Sequence, residues 1–231
     1  MKNLFSCLNK SLWYIIPHSY YHAIRLSYLK TRKALIPGIS RPYRPSETTK
    51  ARARRDREGF FARYCQGKGM DIGYGGDPIT GDCDVWDIEH GDAHYMSGIP
   101  DDVYDFVYSS HTLEHMENPA LALKNWWRIV KPGGYLILYV PHRDLYEKSK
   151  TLPSRWNPDH KHYFHPEEED PPVTLSLRQL ISQFLPDGRL EYLKVCDKGC
   201  TVHEPNLESV GEYSIEAVVR KQAGAFGGAG R

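Results

Sequence analysis

The sequence predicts an α/β domain in which a mostly parallel sheet is flanked by helices, and three observations carry that prediction. Beyond residue 68, apolar runs of strand length alternate with segments of helical periodicity. Residues 104–140 read strand, helix, strand, an order that requires a parallel, right-handed crossover. A turn with three glycines directly follows the first apolar run, where the chain must reverse and a ligand can approach the backbone.

In chain order, residues 18–35 contain no Pro or Gly. Tyr21, Ile24, Tyr28 and Leu35 recur there at helical spacing, with Arg25, Arg32 and Lys33 elsewhere on the turn, which predicts an amphipathic helix. Pro37 and Gly38 end it, and residues 42–45 form a linker into the basic run KARARRDRE (50–58), predicted to be helical through Tyr64. Residues 70–72 predict a short buried strand cut off by glycines, and residues 84–88 a second strand. Residues 104–109 (YDFVYS) predict a third, and 135–140 (YLILYV) a strand so apolar that both faces must be covered. Between these two, PALALKNWWRIV (119–130) has helical periodicity and stops at KPGG. Residues 175–185 predict another helix, and 190–196 and 213–219 two further strands. The chain thus divides into a basic helical arm and linker (1–64), a folded domain (65–222) and a disordered tail (223–231).

Composition excludes several classes. The formal net charge of +1 hides an asymmetry: the first 57 residues carry 13 Lys and Arg against Glu47 and Asp56 alone, and the remainder carries 17 against 27 acidic residues. A basic arm of this kind can follow nucleic-acid phosphates, anionic lipid head groups or the acidic body of a second subunit in a homodimer. No apolar run approaches the roughly 20 residues of a membrane-spanning helix, and no cleavage site follows residues 12–16. The cysteines (Cys7, Cys65, Cys83, Cys196, Cys200) are odd in number and form no C-x-x-C pair, as expected of free thiols in a reducing cytoplasm.

The chemistry concentrates at the glycine turn, DIGYGGDP (71–78). Asp87 closes the next strand, where a carboxylate can accept hydrogen bonds from a ribose diol, and Asp92 offers a second acceptor. No Gly-Lys-Ser/Thr of a phosphate-binding loop is present, and the G-x-G-x-x-G of a dinucleotide site would need glycine at Pro78. A ligand with a ribose but no phosphate suits this acidic rim.

These motifs resemble the class I S-adenosylmethionine-dependent methyltransferases. Asp71, Gly73 and Gly75 match that family's first motif, DFVYSSHTLEH (105–115) its acidic-strand signature, and RIVKPGGYL (128–136) its following segment. VPHRDLYE (140–147) and PSRWNPDHKHYF (153–164) are similar to a bacterial subset associated with surface-glycan biosynthesis. The resemblance implies a Rossmann-like, seven-stranded, mostly parallel sheet, with S-adenosylmethionine as cofactor. By position, Gly73, Tyr74 and Gly75 would pass close to the cofactor's amino-acid part, with Asp71 buttressing the loop. Asp87, or Asp92 close to it, would hold the ribose hydroxyls, with Ile88 also at the cofactor; Asp92 and Ala93 would lie against adenine, and Ser109, Ser110 and His111 would line the floor beneath the methyl donor. Two features depart from the family pattern: Asp77 and Pro78 replace a third glycine, and the helix between the first two strands is compressed to about ten residues.

Methyl transfer aligns a nucleophile with a sulfonium methyl and removes a proton when the acceptor is a hydroxyl. His111 and His160 are the candidate bases, because strand-end and following-loop positions face the acceptor. His160, His162 and His165 alternate in a presumed loop, a weaker metal pattern than a helical pair, so no metal site is expected. The expected reaction is O-methylation of a small-molecule or glycan-linked acceptor by a cytoplasmic enzyme. Residues 10–36, with Trp13, Tyr14, Ile15 and Ile16 before the basic helix, would touch a membrane surface. A nucleic-acid methyltransferase and a non-catalytic binding protein of the same fold are the alternatives.

Overall fold

In the computed structural model, residues 45–200 and 204–223 are described. The helix predicted over 18–35, the aromatic run 13–16, Cys7, the membrane contact assigned to 10–36 and residues 224–231 of the predicted tail lie outside them.

Chain order begins with α1 (Glu47–Arg57) and α2 (Phe60–Tyr64). Ser46 caps α1 by accepting from the Thr49 N–H, Glu47 sits in the first turn, and three arginines fill the last, all favourable to the helix dipole. Gly59, at φ 65°, breaks the helical run that the sequence predicts as continuous to Tyr64. The strands β1 (Gly69–Ile72), β2 (Asp84–Trp86), β3 (Tyr104–Ser110) and β4 (Val130–Pro141) follow, with α3 (Pro119–Arg128) between the last two. Asn118 caps α3, and Pro119 at its start needs no backbone donor. Then come β5 (Tyr163–His165), β6 (Thr174–Ser176), α4 (Leu177–Phe184), β7 (Gly188–Cys196) and β8 (Ser214–Lys221).

The main sheet has six strands in the order β2-β1-β3-β4-β8-β7. The first four are parallel, and β8 and β7 are antiparallel additions. The sheet therefore has six described strands where seven were expected. The segment following β2 cannot supply the seventh, because Gly91, Met96, Gly98 and Asp102 all have positive φ and the chain there runs through tight turns. β5 and β6, not predicted, form a small parallel pair beside the end of β4.

Side chains alternate across the sheet. Met70, Ile72, Val107, Leu136, Leu138 and Ile215 pack against Leu123, Trp126, Leu177 and Ile181 of α3 and α4. On the other face Phe106, Tyr108, Ile137, Tyr139 and Val218 pack against Ala51, Phe60 and Tyr64. The basic helix is thus part of the packed body, which begins at Pro45 and not at residue 65. The correction has a clear cause: Arg55 is wholly buried, bonded through Nε to Glu216 Oε2 at 2.7 Å and through Nη1 to the Tyr108 hydroxyl at 3.0 Å. Arg54 bonds Glu212 and Glu216. These arginines look inward at acidic partners, so they are not a solvated or phosphate-facing stripe.

Candidate active site

The sheet order changes direction between β1 and β3, and such a switch point opens a crevice at the carboxyl ends of the strands. Three loops meet there: the glycine turn after β1, the segment after β3 and the segment after β4. A cavity of about 300 Å³ lined by Arg63, Asp105, Gly133 and Tyr135 lies at the opposite strand ends and has no part in this site.

The glycine turn is built as its sequence requires. Gly73, Gly75 and Gly76 have φ of 75°, 57° and 89°. A Cβ on Gly73 would meet Thr112 Oγ1 at 1.9 Å, because that hydroxyl is held under the turn by the carbonyls of Ile72 and Ser110. Gly75 and Gly76 instead face open space. Asp71 is buried beneath the loop, where its Oδ2 accepts from the Ile79 N–H at 2.7 Å. Burial, against that one hydrogen bond, pushes its carboxyl up to about 7.

Asp87 is brought to the turn: its Oδ2 accepts from the Gly75 N–H at 3.2 Å and its Oδ1 from the Ile88 N–H at 2.8 Å. Asp92 is turned to His94, accepting from its N–H and lying 2.8 Å from its Nδ1. Tyr74 is half-buried in the turn, where its carbonyl accepts from the Asp77 N–H, and Ile88 is exposed. Ala93 packs at the core margin with its carbonyl on Trp126 Nε1. Ser109 is buried, its hydroxyl without a partner among the described residues, and Ser110 is partly exposed. The departure at Asp77 has a structural role: its carboxylate takes hydrogen bonds from Ser46 Oγ and, at 2.7 Å, from Thr49 Oγ1, which ties the start of α1 to the turn.

His111 stands at φ 50° immediately after β3, with Nε2 at 2.8 Å from Ser214 Oγ and the rings of Tyr139, Tyr146 and Tyr213 around it. Burial, with neighbouring His160 and Lys50, holds its imidazole well below the usual range, which favours the neutral form. His160 is deeper. Its Nδ1 lies 2.5 Å from Glu147 Oε1, and its Nε2 lies 3.8 Å from Glu114 Oε1.

Sequence reasoning passed over Glu114, Glu147, Ser214, Tyr146 and Tyr213. Glu114 and Glu147 were visible only as letters inside matched motifs, and Ser214 reaches His111 across more than a hundred residues of chain. At the rim, Lys50 Nζ and the Tyr213 hydroxyl both bond Glu47 Oε1, at 2.6 Å each.

Among the described residues no helix is long and apolar enough to cross a membrane. Residues 58–138 match the family described as a methyltransferase domain. That segment contains the glycine turn, Asp87 and the run from Ser109 to His115, so the match falls on the site described above and implies S-adenosylmethionine as the methyl donor. None of the curated proteins matches the chain. Among solved structures, an S-adenosylmethionine-dependent methyltransferase from Archaeoglobus fulgidus is similar at 19% identity, covering 78% of this chain and 96% of its own, with a TM-score of 0.45. One from Thermotoga maritima is similar at 17% identity, over 76% and 99% of the two chains, TM-score 0.43. The [4+2]-cyclase SpnF is similar at 13% identity, over 74% and 82%, TM-score 0.47.

Proposed function

We propose that the chain transfers a methyl group to a hydroxyl oxygen of a small-molecule or glycan-linked acceptor, with His111 taking the proton. The observation that supports this reading is the His111 imidazole, oriented by Ser214 at the end of β3 beside the crevice that the glycine turn opens. The residues fit the cofactor on features of their own: Gly75 and Gly76 leave open space over a turn that presents its backbone, and the Ser109 hydroxyl lacks a partner among the described residues. S-adenosylmethionine supplies an activated methyl on a sulfonium.

The chain's residues do the rest. Gly73, Tyr74 and Gly75 give the amino-acid end of the cofactor a close approach, and Asp71 fixes the loop from below. Asp87, already oriented by the Gly75 and Ile88 N–H groups, accepts from the ribose hydroxyls. Ile88 stands beside Asp87; Asp92 and Ala93 would flank the base, and Ser109 and Ser110 would form the floor. His111 accepts the acceptor's proton as the oxygen attacks, and Ser214 fixes the orientation of its ring. Tyr146 and Tyr213 wall off water, which aligns the acceptor and strengthens these electrostatic contacts. Arg54 and Arg55 are consumed by Glu212 and Glu216, which disfavours a phosphate-tracking role for this helix and with it the nucleic-acid reading.

Calorimetric titration with S-adenosylmethionine and S-adenosylhomocysteine, alongside Asp87→Ala, tests the cofactor half. Saturable binding that the substitution removes supports it. Transfer of labelled methyl onto hydroxyl-bearing sugars, with the product's linkage read by NMR, tests the rest. His111→Ala should lower kcat more than 100-fold, within the range of a lost general base, and leave cofactor affinity in place; an unchanged kcat, or a methyl found only on nitrogen, would overturn the assignment.

A further inference from the structure

Behind His111 lies a buried group of side chains that methyl transfer does not require. Glu114 is fully buried, and neither of its carboxylate oxygens has a hydrogen-bond partner among the described residues. A desolvated carboxylate left in this way is costly, and native structures almost always compensate it. The nearest ring nitrogens, His111 Nδ1 at 3.7 Å and His160 Nε2 at 3.8 Å, are beyond hydrogen-bond reach. Both are close enough for an ion to bridge.

We propose that Glu114, His115 and His160 bind one divalent transition-metal ion of the zinc class. One ligand atom from each lies within 4.8 Å of the others, and the two imidazole rings meet nearly edge to face, 4.8 Å apart and at 84°. Two histidines and one carboxylate are a known zinc donor set, which leaves a fourth position open to water or an acceptor oxygen. Ligand atoms about 2.0–2.2 Å from a shared tetrahedral ion stand about 3.4 Å apart, so the observed 3.8 Å between His160 Nε2 and Glu114 closes with a small side-chain adjustment.

The surroundings are those of a built site. Glu147 Oε1 accepts from His160 Nδ1 at 2.5 Å, which fixes the tautomer that leaves the Nε2 lone pair facing Glu114. A carboxylate behind a ligating histidine is the usual second layer of a metal site. Glu147 is itself held by the Ser154 hydroxyl at 2.5 Å. The loop that carries His160 is fastened to Glu114 by its backbone, with the Lys161 and His162 N–H groups donating to the Glu114 carbonyl at 2.7 and 3.3 Å. These contacts hold the three donors together without a metal, and they join residues that no sequence pattern linked. The assignment departs from the metal-free site expected from the sequence, and it stands apart from the choice of acceptor.

The full chain, stripped with chelator and then titrated with Co²⁺, tests the site. The expected result is one equivalent bound, with the visible absorption of four-coordinate Co²⁺, displaced by Zn²⁺. Glu114→Gln and His160→Ala should each abolish that spectrum, and Glu147→Gln should weaken binding by about 10–100-fold. A second group, His142, Asp144 and His165, lies near the surface, but Asp144 is already paired with Arg143; His165→Ala should leave the Co²⁺ spectrum intact. Circular dichroism and S-adenosylhomocysteine affinity confirm that each variant is folded. No stoichiometric metal, affinity unchanged in both Glu114→Gln and Glu147→Gln, or loss only in His165→Ala would each overturn the proposal.

Discussion

Replacing Glu216 with glutamine strikes the connection between the basic helix and the sheet. Glu216 is fully buried on β8 and accepts from Arg55 Nε at 2.7 Å, from Arg54 Nη1 and Nη2 at 3.0 and 3.2 Å, and from the Tyr192 hydroxyl at 2.9 Å. Glutamine removes the charge and turns one acceptor into a donor that faces other donors. Arg55 is then buried without a counter-ion, although its guanidinium still stacks over Phe60, Tyr108 and Tyr139. Breaking a buried pair from one side costs about 3–5 kcal/mol, and for a chain of this size each kcal/mol lowers Tm by about 2–4 °C. Tm should therefore fall by about 6–20 °C. Burial raises the Glu216 carboxyl, but Arg55 and Arg54 outweigh it and hold the group at about 2, below its usual 4.5. A depressed carboxylate contributes stability that is present above about pH 4.5 and lost as pH falls toward about 2. The gap between parent and variant in urea denaturation should thus be full near pH 7 and shrink toward about pH 3. A loss under about 1 kcal/mol, or a gap that does not change with pH, would refute the account. The double variant Arg55→Met with Glu216→Gln should cost less than the sum of the single changes, because the first removes the charge that the second strands.

Three further outcomes follow from the same structure. Gly73→Ala puts a Cβ 1.9 Å from Thr112 Oγ1 at a φ of 75°, so it should displace the turn and abolish S-adenosylhomocysteine binding in calorimetry; retained affinity would show that the turn does not carry the cofactor. Asp71, pushed up to about 7 by burial, contributes stability that is present below its usual 3.8 and lost as pH rises through about 7. Asp71→Asn should therefore gain on the parent in urea denaturation from about pH 5 to about pH 8, and a gap equal at both would count against a strained carboxylate. Asp77→Ala removes the hydrogen bonds from Ser46 and Thr49, at a cost of about 1–2 kcal/mol; hydrogen exchange in the first turn of α1 should accelerate and cofactor affinity should drop with it.

The long parallel strands were legible because a strand covered on both faces must be apolar along its length, as residues 135–140 show. Helix α3 was legible because Asn118, Pro119 and the Leu-Trp stripe agree on its start and its face. β5 and β6 escaped notice because three residues are too few to display a period. Among the described residues the sheet has six strands, and the residues after Trp86 adopt positive φ at Gly91, Met96 and Gly98, a property of local turns that family likeness does not reveal. The arginines of α1 were misplaced in an exterior arm because composition counts charges without their partners: Glu212 and Glu216 stand some 160 residues away.

The same division runs through the site. The sequence by itself determined the glycine turn, Asp87 and the strand-end position of His111, because each depends on backbone conformation or on a strand terminus, and short segments encode both. Only the tertiary structure decided that Asp77 clamps α1, that Ser214 holds His111, and that Glu114, Glu147 and His160 share one buried space. Contacts between loops after different strands are set by sheet order and register, which bring distant residues within 4 Å without leaving a periodic trace along the chain.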